Sequence, residues 1–209
     1  MTADLPGPAY RIITDRLMIR CFNPTDATLM IKAIEENLEH LKPWMVWAHD
    51  EPETLNEKIE RLRKIRGEFD LGLDFMYGIF NLEETQLLGG TGLHTRIGPG
   101  AREIGYWIHK DFINQGLATE SSAALVRVAF EIDKVKRVEI HCTPDNIRSS
   151  AIPRKLGFSH EATLQKRTPS IDGKMLDTMI WTMFDEEYPS SFSAQVRIQA
   201  YDASDRPLI

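Results

Sequence analysis

Residues 103–130 read EIGYWIHKDFINQGLATESSAALVRVAF. In the first six, Ile104, Tyr106 and Ile108 alternate with Glu103, Gly105 and Trp107, the period of a strand with two distinct faces. Further on, Leu117, Ala124, Leu125, Val128 and Ala129 recur at helical steps. Between them, Lys110 to Gly116 is a turn ending in Asn-Gln-Gly. The first backbone N–H groups of a helix have no partner inside it and lie at the positive end of its dipole. A pyrophosphate can take those donors if the backbone comes close. Gly116 lacks a Cβ, and Ala118 and Thr119 are small. No Gly-Lys-Ser/Thr follows, which excludes the nucleoside-triphosphate loop.

The next strand, Lys136 to Cys142, carries Val138, Ile140 and Cys142 against Arg137, Glu139 and His141. A strand–helix–strand order predicts a parallel pair in a right-handed crossover, with ligands beyond the carboxyl ends of the strands. The loop at Gln115 and a second loop at Asn146 both fall there. That second stretch, residues 146–158, reads NIRSSAIPRKLGF.

Together the two motifs resemble those of the GCN5-related N-acetyltransferases (GNAT), in particular the RimJ/RimL-type ribosomal-protein acetyltransferases. The segment TDRLMIR at 14–20 is similar to the Thr-Glu-Arg-Leu opening of that branch. The resemblance runs from about Arg11 to about Tyr188. It implies an α+β fold in three layers, a mixed central sheet of about seven strands flanked by helices. Acetyl-CoA would lie between two splayed parallel strands as cosubstrate, and the acetyl group would pass to a primary amine. That amine would belong to a protein N-terminus, a polyamine or an amine antibiotic; an acyl-CoA-binding module without turnover is the alternative. Gln115, Gly116, Leu117, Ala118 and Thr119 would hold the pyrophosphate. Trp107, Ile108, Asn146 and Ser149 would line the pantetheine arm, with a backbone N–H near 106–108 for the oxyanion. Trp44 and Trp47 would flank the acceptor, as would His94, unless the tryptophans are packing residues. Glu103 would be the base, directly or through water, unless it is a plain strand-end carboxylate; His94 and His141 are spare bases.

The chain departs from the family pattern at three places. Ile113 stands where a Gln or Arg would contact the phosphates. Pro153 stands where many members carry a tyrosine that protonates the thiolate, leaving Ser149 as the proton donor. Thr168 stands where RimL-type enzymes carry a glutamate. Pro153 fits the first turn of a helix starting near Ser149 or Ser150, which would leave the Asn146 amide in the loop, free for the cosubstrate.

The 209 residues are 42% hydrophobic and 27% charged, which fits one domain over 1–209, its core at 10–188 and peripheral tails at 1–9 and 189–209. A net charge of −6 argues against a nucleic-acid partner. Two isolated cysteines are no disulfide framework and point to a reducing, cytoplasmic setting. No signal-like start and no membrane-length apolar run is visible. The histidines show no ligand spacing, so no metal is expected.

Residues 1–8 are expected to be disordered and 10–22 to form one strand. Helices follow from Asn23, with Leu29, Ile31, Ile34 and Leu38 apolar, and over 53–69 with a solvated basic face. Strands are expected at 74–80 and 86–97, and a hairpin at 158–184 turns over Ser170 to Gly173. Gly89, Gly90 and Gly92 allow close packing or a bulge. The alternation of Val196, Ile198 and Ala200 leaves an edge strand, a partner-subunit strand in a homodimer, or a free tail.

Overall fold

The computed structural model describes residues 7–170 and 173–209. The expected N-terminal disorder over 1–6, and residues 171–172 of the expected turn, lie outside the described residues. In chain order the strands are β1 (Arg11–Ile13), β2 (Leu17–Cys21), β3 (Phe75–Asn81), β4 (Leu87–His94), β5 (Ala101–Ile108), β6 (Arg137–Cys142), β7 (Ser159–Pro169), β8 (Met175–Phe184) and β9 (Gln199–Tyr201). The helices are α1 (Ala27–Glu35), α2 (Leu38–Leu41), α3 (Leu55–Asp70), α4 (Leu117–Glu131) and α5 (Ile147–Leu156).

The nine strands form one sheet in the order β7-β8-β6-β5-β4-β3-β2-β1-β9. Every neighbouring pair is antiparallel except β5 and β6. That pair is bonded over Ala101–Glu103 and Arg137–Glu139 alone. Yet β5 runs on to Ile108 and β6 to Cys142, so the two strands part for the rest of their length. The parting of this one parallel pair opens the sheet where the two predicted loops leave it.

Alternation along the strands divides the core into two layers. Leu17 and Ile19 on β2, Tyr77 and Ile79 on β3 and Ile104 and Ile108 on β5 pack with α4. Met18 and Phe80 face the other way, against Met30 and Ile34 of α1 and Leu62 and Ile65 of α3. In α1 the buried face is Ala27, Met30, Ala33 and Ile34, while Leu38 opens the separate α2. α3 begins with a capping box, the Thr54 hydroxyl taking the Glu57 N–H while Glu57 returns to Thr54 N–H.

Several expectations are corrected here. The single strand over 10–22 is two, because the Thr14 hydroxyl accepts the Leu17 N–H at 3.0 Å and turns the chain back. The basic face of α3 is not wholly solvated. Lys58 is fully buried, ion-paired with Glu51 and with Glu53 at 2.7 Å. Of the alternatives for the segment after Tyr188, the edge strand in its own sheet is the one present: β9 pairs antiparallel with β1, and Ala200 is fully buried, so 189–209 is no peripheral tail. The split strand and β9 give the sheet two more strands than the resemblance implied.

Candidate active site

Two cavities meet at the opening between β5 and β6. The smaller, about 680 Å³, reaches from Tyr106, Trp107 and Ile108 to the N-termini of α4 and α5. The larger, about 1290 Å³, lies over His94, Glu103, Gly105 and Trp107 and extends to Trp47, Glu60 and Lys64. Trp44, Met45, Tyr106, Trp107, Asn146 and Ser149 line both. A ligand in one cavity can therefore meet a ligand in the other at these residues.

The smaller cavity has the chemistry of an anion site. Gly116 precedes α4 with φ +82°, a left-handed conformation that a side chain resists. The first intrahelical bond runs from Glu120 N–H to the Gly116 carbonyl at 3.0 Å, so the N–H groups of Leu117, Ala118 and Thr119 come before the ladder starts. All of these residues but Glu120 line the cavity. Arg148 and Lys155, two turns apart on α5, line it as well, with His40. Burial lowers the His40 pKa, and the positive charges of Arg148, His109 and Lys110 lower it further. Against them stands the Asp145 carboxylate, so Arg148 and Lys155 leave the mouth net positive before an open helix N-terminus. Gln115 does not join it. Its amide donates to the Asp111 carbonyl at 3.2 Å, folding the side chain back on its own loop.

Arg16 braces that loop from the β1–β2 turn. Its guanidinium donates to the Gln115 carbonyl at 3.0 Å and pairs with Glu120 through Nε at 2.7 Å. The Thr14 hydroxyl donates to the same carboxylate at 2.6 Å. Glu120 stands in the first turn of α4, so without these partners its charge would repel an anion there.

The backbone of β5 supplies further donors. His109 N–H bonds to the Leu88 carbonyl on β4 at 2.8 Å. Strand alternation then turns Trp107 N–H toward β4, and Tyr106 and Ile108 N–H toward β6, where no strand pairs beyond Glu103.

Across the opening, the helix starting at Asn146 differs from the expectation. α5 begins at Ile147, and Asn146 is its cap, with Oδ1 accepting Ser149 N–H at 3.1 Å. That oxygen is committed, and Pro153 lies beyond the first turn. Proline there deprives the Ser149 carbonyl of its helical donor. The Tyr106 hydroxyl replaces it, donating at 3.0 Å, and its oxygen lies 3.2 Å from Ser149 Oγ. Burial raises the Tyr106 pKa, outweighing the lowering effect of Ser149, so the phenol keeps its proton. The tyrosine missing at 153 thus has a counterpart in space at 106, which no local pattern could reveal. The free thiol of Cys142 is close by; burial raises its pKa against hydrogen bonds with Trp181 and Ser149.

The larger cavity has a glycine floor. A Cβ on Gly90 would stand 2.5 Å from Trp107 Nε1, and one on Gly92 2.8 Å from His94 Nε2. The expected close packing at these glycines is that of two flat rings laid on the sheet. Trp47 packs on Trp107 at 6.3 Å between centroids, and Trp44 is 44% exposed between the two cavities. Thr168 also lines the larger cavity, its hydroxyl 2.7 Å from that of Thr178.

Glu103 lies on that floor beside His94 but is held by Arg96, with Nε to Oε2 at 2.7 Å and a second contact from Nη2. Burial raises its pKa, yet the Arg96 hydrogen bond and the charge of His141 together hold it below the usual value. His141 is bracketed by Glu139 at 2.7 Å and Glu103 at 3.7 Å. His94 donates through Nδ1 to Asp74 Oδ2 at 2.8 Å.

The fold thus sets two adjoining cavities and an open helix N-terminus at the parted strands. Residues 16–159 match the family model described as an acetyltransferase (GNAT) domain, and the chain belongs to that family. It is similar to the ribosomal protein uS5-alanine N-acetyltransferase of Escherichia coli, 28% identical over 83% of this chain and 90% of the relative. The ribosomal-protein-serine acetyltransferase of the same organism is 26% identical over 66% of this chain and 83% of its own. Two solved structures share the fold. The microcin C7 self-immunity acetyltransferase MccE, in complex with acetyl-CoA and AMP, aligns with TM-score 0.75 at 20% identity, covering 82% of this chain and 93% of that one. RimL, the ribosomal L7/L12 α-N-protein acetyltransferase in complex with coenzyme A, aligns with TM-score 0.74 at 21% identity, covering 82% and 96%. The GNAT family and the fold anticipated from the two sequence motifs hold, the chain is an acetyltransferase, and proteins of the RimJ/RimL type are among those it resembles.

Proposed function

We propose that the chain binds acetyl-CoA in the smaller cavity and acetylates a protein N-terminal α-amine presented from the larger one. The observation that carries this reading is the meeting of the two cavities at Tyr106, Trp107, Asn146 and Ser149. The pyrophosphate takes the N–H groups of Leu117 to Thr119, with Arg148 and Lys155 as counter-charges. Backbone donors, a helix dipole and side-chain cations suit that group without the side chain missing at Ile113. The pantetheine arm runs between the parted strands, and Ile108 N–H polarises the thioester carbonyl and receives the developing oxyanion. Ser149 protonates the departing sulfur. Tyr106 commits its proton to the Ser149 carbonyl and holds that hydroxyl at the junction.

The acceptor class rests on the relatives named for ribosomal proteins and on the larger cavity's size, about 1290 Å³. An α-amine has a pKa of about 7.7–8.0 against about 10.4 for lysine, so it asks less of a base. Two free thiols, Cys21 and Cys142, suit the cytoplasm in which such an acceptor is made.

Calorimetry with acetyl-CoA, followed by thiol release with an amine panel, tests the reading. The panel holds a hexapeptide with N-terminal alanine, one with N-terminal serine, spermidine and an aminoglycoside. Binding with turnover on the peptides is expected. Binding without turnover on any amine would leave only an acyl-CoA-binding module.

A further inference from the structure

We propose that His94, oriented by Asp74, is the base that takes the proton from the acceptor amine, acting through Nε2. The inference rests on the transferase reading above. Along this floor Glu103 is chelated by Arg96, and His141 lies with its two nitrogens toward Glu103 and Glu139. His141 Nδ1 makes no hydrogen bond but stands 3.7 Å from the Glu103 carboxylate, whereas His94 Nε2 has neither a hydrogen-bond nor an ion-pair partner among the described residues.

The dyad fixes which nitrogen that is. Asp74 accepts Thr95 N–H at 3.2 Å as well as His94 Nδ1 at 2.8 Å. Burial raises the Asp74 pKa, but the His94 bond and charge and the backbone donors of Thr95 and Phe75 bring it below its usual value. An ionised Asp74 accepts from a protonated Nδ1, so neutral His94 carries its lone pair on Nε2. Position follows from the glycine floor. Nε2 lies 2.8 Å from where a Cβ on Gly92 would stand and 3.3 Å from one on Gly105. These two residues are register partners on β4 and β5, so the ring is folded back along the sheet over both. That direction leads from the end of β4 toward Tyr106 and Trp107, where the cavities meet.

In the reaction, the ammonium group of the acceptor loses one proton to Nε2, directly or through a water molecule, and gains a lone pair. Nitrogen bonds to the acetyl carbon, the carbon–sulfur pair leaves on sulfur, and the second proton shed by nitrogen balances the thiolate. Nε2 then returns its proton to water.

The test uses full-length protein, acetyl-CoA and whichever panel amine the native enzyme acetylates. His94→Gln should lower kcat by about 10²–10⁴-fold, the usual worth of a positioned base, with acetyl-CoA affinity unchanged by calorimetry. Asp74→Asn, which turns the ring's proton onto Nε2, should lower kcat by at least about tenfold. Glu103→Gln should cost less than either. His94→Ala leaves a ring-shaped space over Gly92 and Gly105, and added imidazole should restore part of its kcat. The pH profile of kcat/KM should lose its acidic limb in His94→Gln and keep it in Glu103→Gln. The charged groups and histidines that line the cavity with His94 are Asp74 before β3, Arg96 after β4, Glu103 on β5, His141 on β6, Glu60, Arg61, Lys64 and Glu68 on α3 and, further off, Lys42, His49 and Glu51, so the limb is read as a difference between variants. His94→Gln within about threefold of native kcat, a change in acceptor KM alone, or no imidazole rescue in a folded His94→Ala would overturn the proposal. Native enzyme that binds acetyl-CoA but acetylates no amine overturns the transfer reading and the base with it. Native turnover with His94→Gln unimpaired overturns the base alone.

Discussion

The two cavities differ in how far along the chain their residues are drawn from. The smaller is built mainly from two short segments, 106–119 and 145–155, each a strand end or loop running into a helix. The larger takes Phe22, Met30, Trp47, Glu51, Arg61, Asp74, His94, Glu103, His141 and Thr168 from α1, α3, four strands and the loops between them. Anion binding by backbone N–H is a local property, set by a glycine and a helix start. A shaped pocket for an acceptor must converge from many directions, and no single stretch can hold it. The glycines differ in the same sense. Gly116 answers to its own φ, whereas Gly92 and Gly105 answer to a ring brought over them.

Breaking the acceptor side from a distance should give the largest effect. Lys58 is buried between Glu51 and Glu53, at the end of the loop that carries Trp44 and Trp47. Removing one member of a buried charged set typically costs about 3–5 kcal/mol, because the partner charges stay behind. Lys58→Ala should lower the melting temperature markedly. Where it still folds, acceptor KM should rise with the calorimetric Kd for acetyl-CoA close to native. Equal loss on both sides would show that the cavities are mechanically one.

At the meeting point, Ser149→Ala should lower kcat by about 10²–10³-fold, the scale of a lost oxyanion donor, at near-constant KM for acetyl-CoA. The helix cap here is Asn146, so melting temperature should barely change; Asn146→Ala should instead cost about 1 kcal/mol of stability. A native kcat in Ser149→Ala would return the proton-donor role to Tyr106 or to water.

On the cosubstrate side, Gly116→Val sets a branched side chain at φ +82°, for which the strain is about 1–2 kcal/mol. Acetyl-CoA affinity should fall by about tenfold or more, at 1.4 kcal/mol per decade, with acceptor KM little changed. An unchanged Kd in folded protein would remove the loop as the phosphate site.

The smallest effect tests the brace across the two regions. Arg16→Met leaves Glu120 charged beside the α4 N-terminus, and acetyl-CoA affinity should fall several-fold, in line with about 0.3–1 kcal/mol for a charge in the first turn. Glu120→Gln added to Arg16→Met should recover much of that loss. No recovery would mean that Arg16 acts by holding the Gln115 carbonyl instead.

The sequence by itself determined the backbone that builds the smaller cavity. Strand alternation over 103–108, the glycine at 116, the helix after it and the paired motif at 146–158 are local patterns with local physical causes. They located α4, β6, the parallel crossover and the glycine that opens α4. The same reading did not resolve which way a side chain turns, even against partners three, four or seven residues away. Gln115 is turned back on Asp111, the Asn146 carbonyl oxygen is spent on a cap, and Lys58 lies inside the protein although its helix reads as a basic surface. Only the tertiary structure decided that Tyr106 would stand behind Ser149, forty-three residues away, or that Arg96 would bind Glu103 and leave His94 with a free nitrogen. Side-chain roles of that kind depend on which charges and hydroxyls the fold brings within hydrogen-bond distance. Spacing along a chain fixes neighbours one turn or one strand step away, and the pairing of strands and the packing of helices fix the rest.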